Sequence, residues 1–433
     1  MLRRMAKHGA FANLIGQGGH ALAGLLMFML LARYFSALEF GSWVLFITIV
    51  NLLESLRMGL VRQGLVRALA AEAQDPAAER SWMGAAWGLS IMATGALVML
   101  SGGAQALALH YGAPKGWALA LEMTPWMLLA GLPHSVAAWR HHGRSEFWGV
   151  NGYRLFTALG FLLLFGTWMQ WEPAVSLEQA AALLACLHGA ASLWVLLTQP
   201  VHRRAWLDFP PQTTQELWTF GRHSLMTLTG SHLLRSTDQI LLGLFAGPAA
   251  VAAYSIPLKL VQLAEVPVRA FSMQAYPRLS RALRHGECLA FQHYGWRWVV
   301  GLTLLALPFL GMAFLIPDKI LNLIGGEVLP ESVPVLAIFL IYMGLLPLDR
   351  FFGIALDSLG KPEINTGKVW RMLALNLLGD GLLLALGAPL WSIALVTIAN
   401  TLLGIVWAYR FLRRQAGFAP DWAAIRSRTT RMV

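Results

Sequence analysis

Twelve runs of about twenty predominantly apolar residues recur along this chain, and only a membrane gives so many of them a common environment. They lie approximately at Phe11–Ala32, Phe40–Val61, Trp82–Leu109, Trp117–Trp139, Phe147–Trp168, Ala180–Gln199, Trp218–Phe245, Ala249–Phe271, Tyr294–Ile316, Val333–Leu356, Lys368–Leu386 and Pro389–Leu412. Inside hydrocarbon a backbone must satisfy its polar groups within its own segment, so each run is expected to be a helix. Hydrophobic residues make up 57% of the 433 and charged residues 13%, against about 45–50% and about 25% in soluble domains. The expected fold class is an all-α integral membrane protein with about twelve transmembrane helices. The Met-Leu-Arg-Arg start resembles the opening of a signal peptide, but Phe11–Ala32 exceeds the roughly 7–15 apolar residues of a cleaved signal and reads as a retained first span. Trp82, Trp117, Trp148, Trp168 and Trp218 stand at run ends, as an interfacial belt requires.

Basic residues set the expected orientation. Arg3, Arg4 and Lys7 precede the first run. The even-numbered connections hold Arg62, Arg67, Arg80; Arg140, Arg144; Arg203, Arg204; Arg278, Arg281, Arg284; and Lys361, Lys368. The tail adds Arg413, Arg414, Arg426, Arg428 and Arg431, whereas the odd connections hold little beyond Arg33, Lys115 and Lys319. Both termini are therefore expected in the cytoplasm. The net charge of +11 is accounted for by this bias. Its cations orient helices and meet anionic membrane lipids, which removes the case for a nucleic-acid partner.

An internal repeat divides the twelve runs in half. Val50-Asn51-Leu52-Leu53-Glu54 recurs as Val261-Gln262-Leu263-Ala264-Glu265, an offset of 211 at which Trp43 also meets Tyr254 and Arg67 meets Arg278. Gly143-Arg144-Ser145-Glu146 matches Gly360-Lys361-Pro362-Glu363, and Tyr153-Arg154 matches Trp370-Arg371, at an offset of 217. Six is even, so both halves enter from the same side: two six-helix parallel repeats around a central cavity. The expected domains are an N-terminal lobe over 1–205, a C-terminal lobe over 206–416 and a cytoplasmic basic tail over 417–433.

Charges at hydrocarbon depth are costly, by at least about 2.5 kcal/mol each at a helix centre, and mark wet, protein-lined paths. Counting about 1.5 Å per residue puts Arg57, Arg154, Arg222, Arg269 and Arg350 toward the inner face, Lys259 near mid-span and Arg235 beyond the midplane. This ladder of cations would suit a large anion crossing the membrane, and its members are the candidate substrate-binding residues. Other readings stay open. Arg57, Arg222 and Arg269 can snorkel to headgroups, and Arg235 can pair with Asp238 on the same helix. Glu54 and Glu265, matched by the repeat, suit either a lock on the architecture or a coupling role. Asp380 suits a proton site or a helix–helix hydrogen bond.

Enzyme signatures are lacking. There is no P-loop, no G-x-S-x-G, no H-E-x-x-H and no paired-cysteine metal spacing. The glycines of Ala10–Gly24 suit close helix packing, and His141-His142 falls in an expected solvated loop, so no cofactor or metal is expected. Cys186 lies in an apolar run and Cys288 in a basic connection, which gives no disulfide framework. No expected outer connection exceeds about 20 residues, which leaves no room for an extracytoplasmic catalytic domain.

Two stretches carry a family resemblance. LLARYFSALEFGSWVLFITIVNLLESLRMGL resembles the start of bacterial polysaccharide flippases of the Wzx type, in the multidrug/oligosaccharidyl-lipid/polysaccharide exporter superfamily. STDQILLGLFAGPAAVAAYSIPLKL, followed by Pro277-Arg278-Leu279-Ser280, is similar to the corresponding element of their second half. The resemblance implies a protein that flips an undecaprenyl-pyrophosphate-linked oligosaccharide across the bacterial inner membrane, through a cationic cavity and by alternating access. Its implied partners are that lipid-linked saccharide, membrane lipids and other polysaccharide-assembly proteins. Related multidrug exporters often carry an acid in the first span. Here that span has Asn13, Gln17 and His20 instead, which counts against the drug-exporter branch. A cation-coupled small-molecule exporter and a membrane glycan polymerase or ligase are the alternatives from other classes.

Overall fold

The computed structural model of the chain describes residues 2–71, 75–114, 116–172, 174–199, 201, 205, 207–359 and 362–416. Lys115, Arg203, Arg204, Lys361 and the basic tail 417–433 lie outside them, as do the side chains of Arg3, Arg4, Lys7, Asn13, Gln17 and Arg284. The described residues form thirteen helices and no strand. In chain order these are α1 (Leu2–Tyr34), α2 (Ala37–Ala71), α3 (Pro76–Tyr111), α4 (Ala118–Gly143), α5 (Phe147–Trp171), α6 (Leu177–Thr198), α7 (Pro211–Phe245), α8 (Pro248–Arg284), α9 (Cys288–Leu315), α10 (Pro317–Gly325), α11 (Ser332–Ser358), α12 (Pro362–Ala385) and α13 (Trp391–Ala416). All except α10 are at least 22 residues long, and each contains most or all of one expected span. Most run past the apolar limits because polar and basic residues can extend a helix into the headgroup region. The protein is an all-α membrane protein with the expected twelve long helices.

Eight of the twelve (α2, α3, α5, α6, α8, α9, α11 and α13) carry an apolar stretch long enough to cross a bilayer on length and composition alone. In α1 that stretch shortens to Gly18–Tyr34. Of the remaining three, α7 interrupts its stretch with Arg222, Arg235 and Asp238 and α12 with Lys368, Arg371 and Asp380, while α4 lowers its hydropathy with Pro125, Pro133 and His134. The short α10 was not expected from the apolar count. Pro317 starts it and Gly326, in the left-handed region at φ 75°, ends it, while Ile320, Leu321 and Ile324 are buried. It is too short to span, so a count of twenty-residue runs passes over it.

Local chemistry sets the helix ends. Asp75 caps α3 by accepting from the Ala77 N–H at 2.8 Å, with Pro76 in the first turn. Ser176 and Gln179 form a capping box on α6. Between α7 and α8 the chain reverses through Gly247 at φ 85°, a conformation open to glycine and strained for other residues.

The chain divides into two compact units, Met1–Ala252 and Ala253–Val433. In the first, a core of Leu60, Val61, Leu65 and Leu69 from α2 packs on Met83, Ala86 and Trp87 of α3, Val136 and Trp139 of α4, and Leu217 of α7. Helix α7 runs beside α2 along its length. A methyl group at Gly221 would overlap the Leu60 carbonyl oxygen, and one at Gly41 would overlap that of Pro248. Between these close approaches Thr48 donates to Gln239 at 2.8 Å. The sequence repeat thus assigns α7 to the second half, while packing assigns it to the first unit. In the second unit, Ala275 and Leu279 of α8, Phe291 and Val299 of α9, Phe351 and Phe352 of α11, and Ile405, Ala408 and Leu412 of α13 form the core. Leu100, Leu109, Leu163, Leu305, Leu315 and Leu378 remain exposed, as lipid-facing residues of a membrane protein do.

Candidate functional site

The charged residues of the first unit converge on α2. Glu54 and Arg57 are one turn apart and so share a face. Arg57 is 0% exposed. Its Nη1 donates to Thr94 Oγ1 of α3 and to the Leu128 carbonyl of α4, both at 3.1 Å. Its Nη2 donates to the Glu54 carboxylate and, at 3.3 Å, to Ser135 Oγ. Ser135 in turn donates to Glu54 Oε1 at 2.9 Å, which closes a triangle between α2 and α4. Arg57 is thus tied into the helix packing. Neither snorkelling nor a solvent-facing position describes it, and its charge reaches its surroundings as a field.

Beside this triangle lies a histidine group that was not singled out from the sequence. The His134 and His188 rings, on α4 and α6, have centroids 4.9 Å apart. Ser192 of α6 donates to the Ala130 carbonyl at 2.5 Å and accepts from the His134 backbone N–H at 3.2 Å. Its single proton is then used, so the 3.2 Å contact with His134 Nδ1 needs the hydrogen on the ring. Nε2 is left as the unprotonated nitrogen. Two turns along α4, His141 is no solvated loop residue as expected: it is half-buried in the last turn, with Nδ1 2.5 Å from Glu146 Oε2. His142 likewise lies in that turn, 3.3 Å from Arg62 Nη2. The spacing of His134 and His141, seven residues on one helix, was a readable sign that they share a face.

The other cations are distributed as follows. Arg154 on α5 is exposed, and its charge acts on Arg62, His142 and His134. Arg222 and Arg235 on α7 are exposed and Asp238 is buried. In the second unit Lys259 is half-buried on α8, Arg269 pairs with Glu265 one turn earlier, and Arg350 on α11 is exposed. Asp380 on α12 is 0% exposed. It accepts from Asn376 Nδ2 at 2.8 Å, and Asn400 of α13 donates to the Asn376 side chain. The structure therefore supplies the helix–helix hydrogen-bond network that was one of two readings for Asp380.

Several cations read as loop residues prove to be structural. Lys368 is 4% exposed inside α12 and donates to Asp349 of α11. Arg140 and Arg144 both pair with Glu79 of α3. Among the described residues no group of three or more metal-ligating side chains occurs.

Comparison with known proteins gives the fold and the family. No curated protein sequence matches the chain. Among solved structures, an inward-facing multidrug-resistance MATE transporter of the MOP superfamily has a TM-score of 0.73 at 13% identity, covering 93% of this chain and 96% of that one. Lipid II flippase MurJ, in an inward closed conformation, also has a TM-score of 0.73, at 10% identity over 92% of this chain and 87% of that one. A MOP-superfamily transporter from Pyrococcus furiosus, described as having a binding pocket of reversed polarity, has a TM-score of 0.64 at 13% identity, covering 95% of each chain. These likenesses establish the fold, the one expected from the sequence. The family model described as "Polysaccharide biosynthesis protein" matches residues 30–334. Well over half the chain is covered by that match, and the protein belongs to the polysaccharide biosynthesis protein family.

Proposed function

We propose that the protein is a flippase that moves an undecaprenyl-pyrophosphate-linked oligosaccharide from the inner to the outer leaflet of a bacterial inner membrane. The carrying observation is that a chain of the polysaccharide biosynthesis family has the fold of membrane transporters. Cations set into its membrane helices support an anionic cargo. A diphosphate carries about two negative charges, and arginine's planar fork holds phosphate oxygens in pairs. Arg154, Arg222, Arg269 and Arg350 would receive the head near the inner face. Lys259 and then Arg235 would hold it further out, with Arg57 contributing field rather than contact. The prenyl tail stays in lipid.

In this reading the repeats over 1–205 and 206–416 alternate in exposing the path, both termini and the tail 417–433 are cytoplasmic, and other polysaccharide-assembly proteins supply and consume the cargo. The protein acts as a transporter and not as a glycan polymerase or ligase. A coupling ion, if used, would engage Asp380 or Glu265. The second reading, a cation-coupled small-molecule exporter, draws support from the MATE transporters among the structural relatives.

The test is reconstitution in liposomes with a fluorescent lipid-linked oligosaccharide and a membrane-impermeant quencher. Protein-dependent exposure of the labelled lipid supports the flippase. Extrusion of small cationic dyes with no movement of the lipid overturns it in favour of the exporter.

A further inference from the structure

The histidines of the first unit form a wired path that the charge ladder does not use. Its hydrogen bonds have a direction. Glu146, half-exposed at the α4–α5 turn, can only accept from His141 while ionised, so Nδ1 of that ring carries the hydrogen. His141 Nε2 is then an acceptor. It faces Tyr153 Oη of α5 at 3.4 Å and the Gln199 amide nitrogen at 3.2 Å. Gln199 also donates to Tyr153 Oη at 2.6 Å, which leaves the phenol hydrogen to point at His141. The Nδ1 hydrogen of His141 is aligned for transfer to the Glu146 carboxylate, and Nε2, with its one lone pair, can take the phenol hydrogen when Gln199 donates to Tyr153 alone. The Tyr153 ring lies 6.5 Å from that of His134, which sets the phenol beside the histidine pair.

The charges around the pair come from each neighbouring element. Helix α2 presents Arg57 with its bound Glu54, and α5 presents Arg154 and Tyr153. Helix α4 adds His141 beyond His134 itself, and α6 contributes the neutral Ser192. With Glu54 already bound to Arg57, a proton arriving on His134 or His188 meets a net positive surrounding. An anion resting against the exposed Arg154 would offset the one positive charge there that, among the described residues, has no bound carboxylate beside it, and that charge bears on His134.

We propose that His134 and His188 form a proton site whose occupancy is linked to anion binding at Arg154, and that Tyr153, His141 and Glu146 conduct its proton to the α4–α5 turn. The anion's identity as a prenyl diphosphate rests on the function proposed above. The test uses the full-length protein in nanodiscs with undecaprenyl pyrophosphate as the probe, between pH 8 and pH 6. Wild-type affinity is expected to rise more steeply toward pH 6 than that of His134→Gln/His188→Gln, by up to about tenfold per pH unit for one fully linked proton. The double variant carries the probe's own titration and so subtracts it. Should that variant melt early, His188→Gln serves alone, because His134 is the member hydrogen-bonded to Ser192. Binding in a weakly buffered solution is expected to take up protons in the wild type and not in the variant. Tyr153→Phe is expected to keep the affinity profile and slow the proton's release. An identical pH slope in wild type and variant overturns the proton site alone. Unchanged release in Tyr153→Phe overturns the conduit. Absence of binding at both pH values overturns the flippase reading together with the linkage.

Discussion

Arg57 binds the Glu54 carboxylate one turn back on α2 while its other guanidinium nitrogen reaches Thr94 of α3 and the Leu128 carbonyl of α4. The same helix of the second repeat, α8, carries Glu265 and Arg269 in the same relation, one residue further apart. There the arginine is 50% exposed over a glutamate that is 15% exposed, whereas Arg57 is sealed. One repeated motif thus seals its arginine in one half and leaves it exposed in the other.

The tie predicts a specific stability pattern. Arg57→Met leaves Glu54 without its cation and three donors' worth of contacts unmade. A fully buried pair broken this way costs about 3–5 kcal/mol. Glu54 is 30% exposed, so about 2–4 kcal/mol is expected. Removing both partners in Arg57→Met/Glu54→Gln is expected to cost less than the two single changes added together, as measured by unfolding in detergent. Strict additivity would show that the two residues are not coupled.

The packing of α2 against α7 and the start of α8 gives a steric prediction. Gly41→Ala and Gly221→Ala each place a methyl group on a backbone carbonyl oxygen, which no rotamer change relieves. Gly381→Ala on α12 meets nothing within 4 Å and gains helix propensity. Thermal unfolding is expected to show the first two lowered by several degrees and the third unchanged or raised. Equal behaviour of all three would mean that α7, at Gly221, and the start of α8, at Pro248, do not hold these positions against α2.

Topology is tested with reporter fusions. The basic residues expected inside include Arg203, Arg204, Arg413 and Arg414, and the repeat of six long helices preserves their side. Fusions after Thr167 and Lys319 are expected to report the outside, and fusions after Arg204 and Arg414 the cytoplasm. One reversed pair would break the parallel repeat as well as the orientation.

The fold was legible because hydrophobic length is a strong signal and the repeat an independent one. Trp43 and Tyr254, matched by sequence offset, are both buried and each packs on an aromatic of the fifth or fourth long helix of its half, Phe161 and Phe339. Arg67 and Arg278, matched likewise, each lie over a ring, Phe220 and Tyr294. The site was less legible. Depth along a helix says how far a charge lies from water in a bare span, but not which way it points. Lys368, placed by sequence in a basic connection, is buried against Asp349, and Arg57 is enclosed by α3 and α4. The histidine group joins α4, α5 and α6, and only packing reveals that convergence.

The charge ladder itself is tested by the membrane potential. Exporting a diphosphate head moves about two negative charges outward from a negative interior. At about 2.3 kcal/mol per charge per 100 mV, a potential of about 150 mV contributes roughly 7 kcal/mol in favour of export. On the proposed path Lys259 and Arg235 would meet the head mid-membrane. Arg235 is exposed and Lys259 half-buried, so cysteine at either position is expected to react with small charged thiol reagents in a cysteine-depleted background. In liposomes clamped with potassium and valinomycin, flipping is expected to quicken when the substrate side is negative and to slow when the sign is reversed. Lys259→Gln and Arg235→Gln are each expected to lower the rate by about tenfold, the loss of one charged hydrogen bond to phosphate. Flipping indifferent both to the sign of the potential and to these two substitutions would remove the electrostatic mechanism and leave the transporter fold untouched.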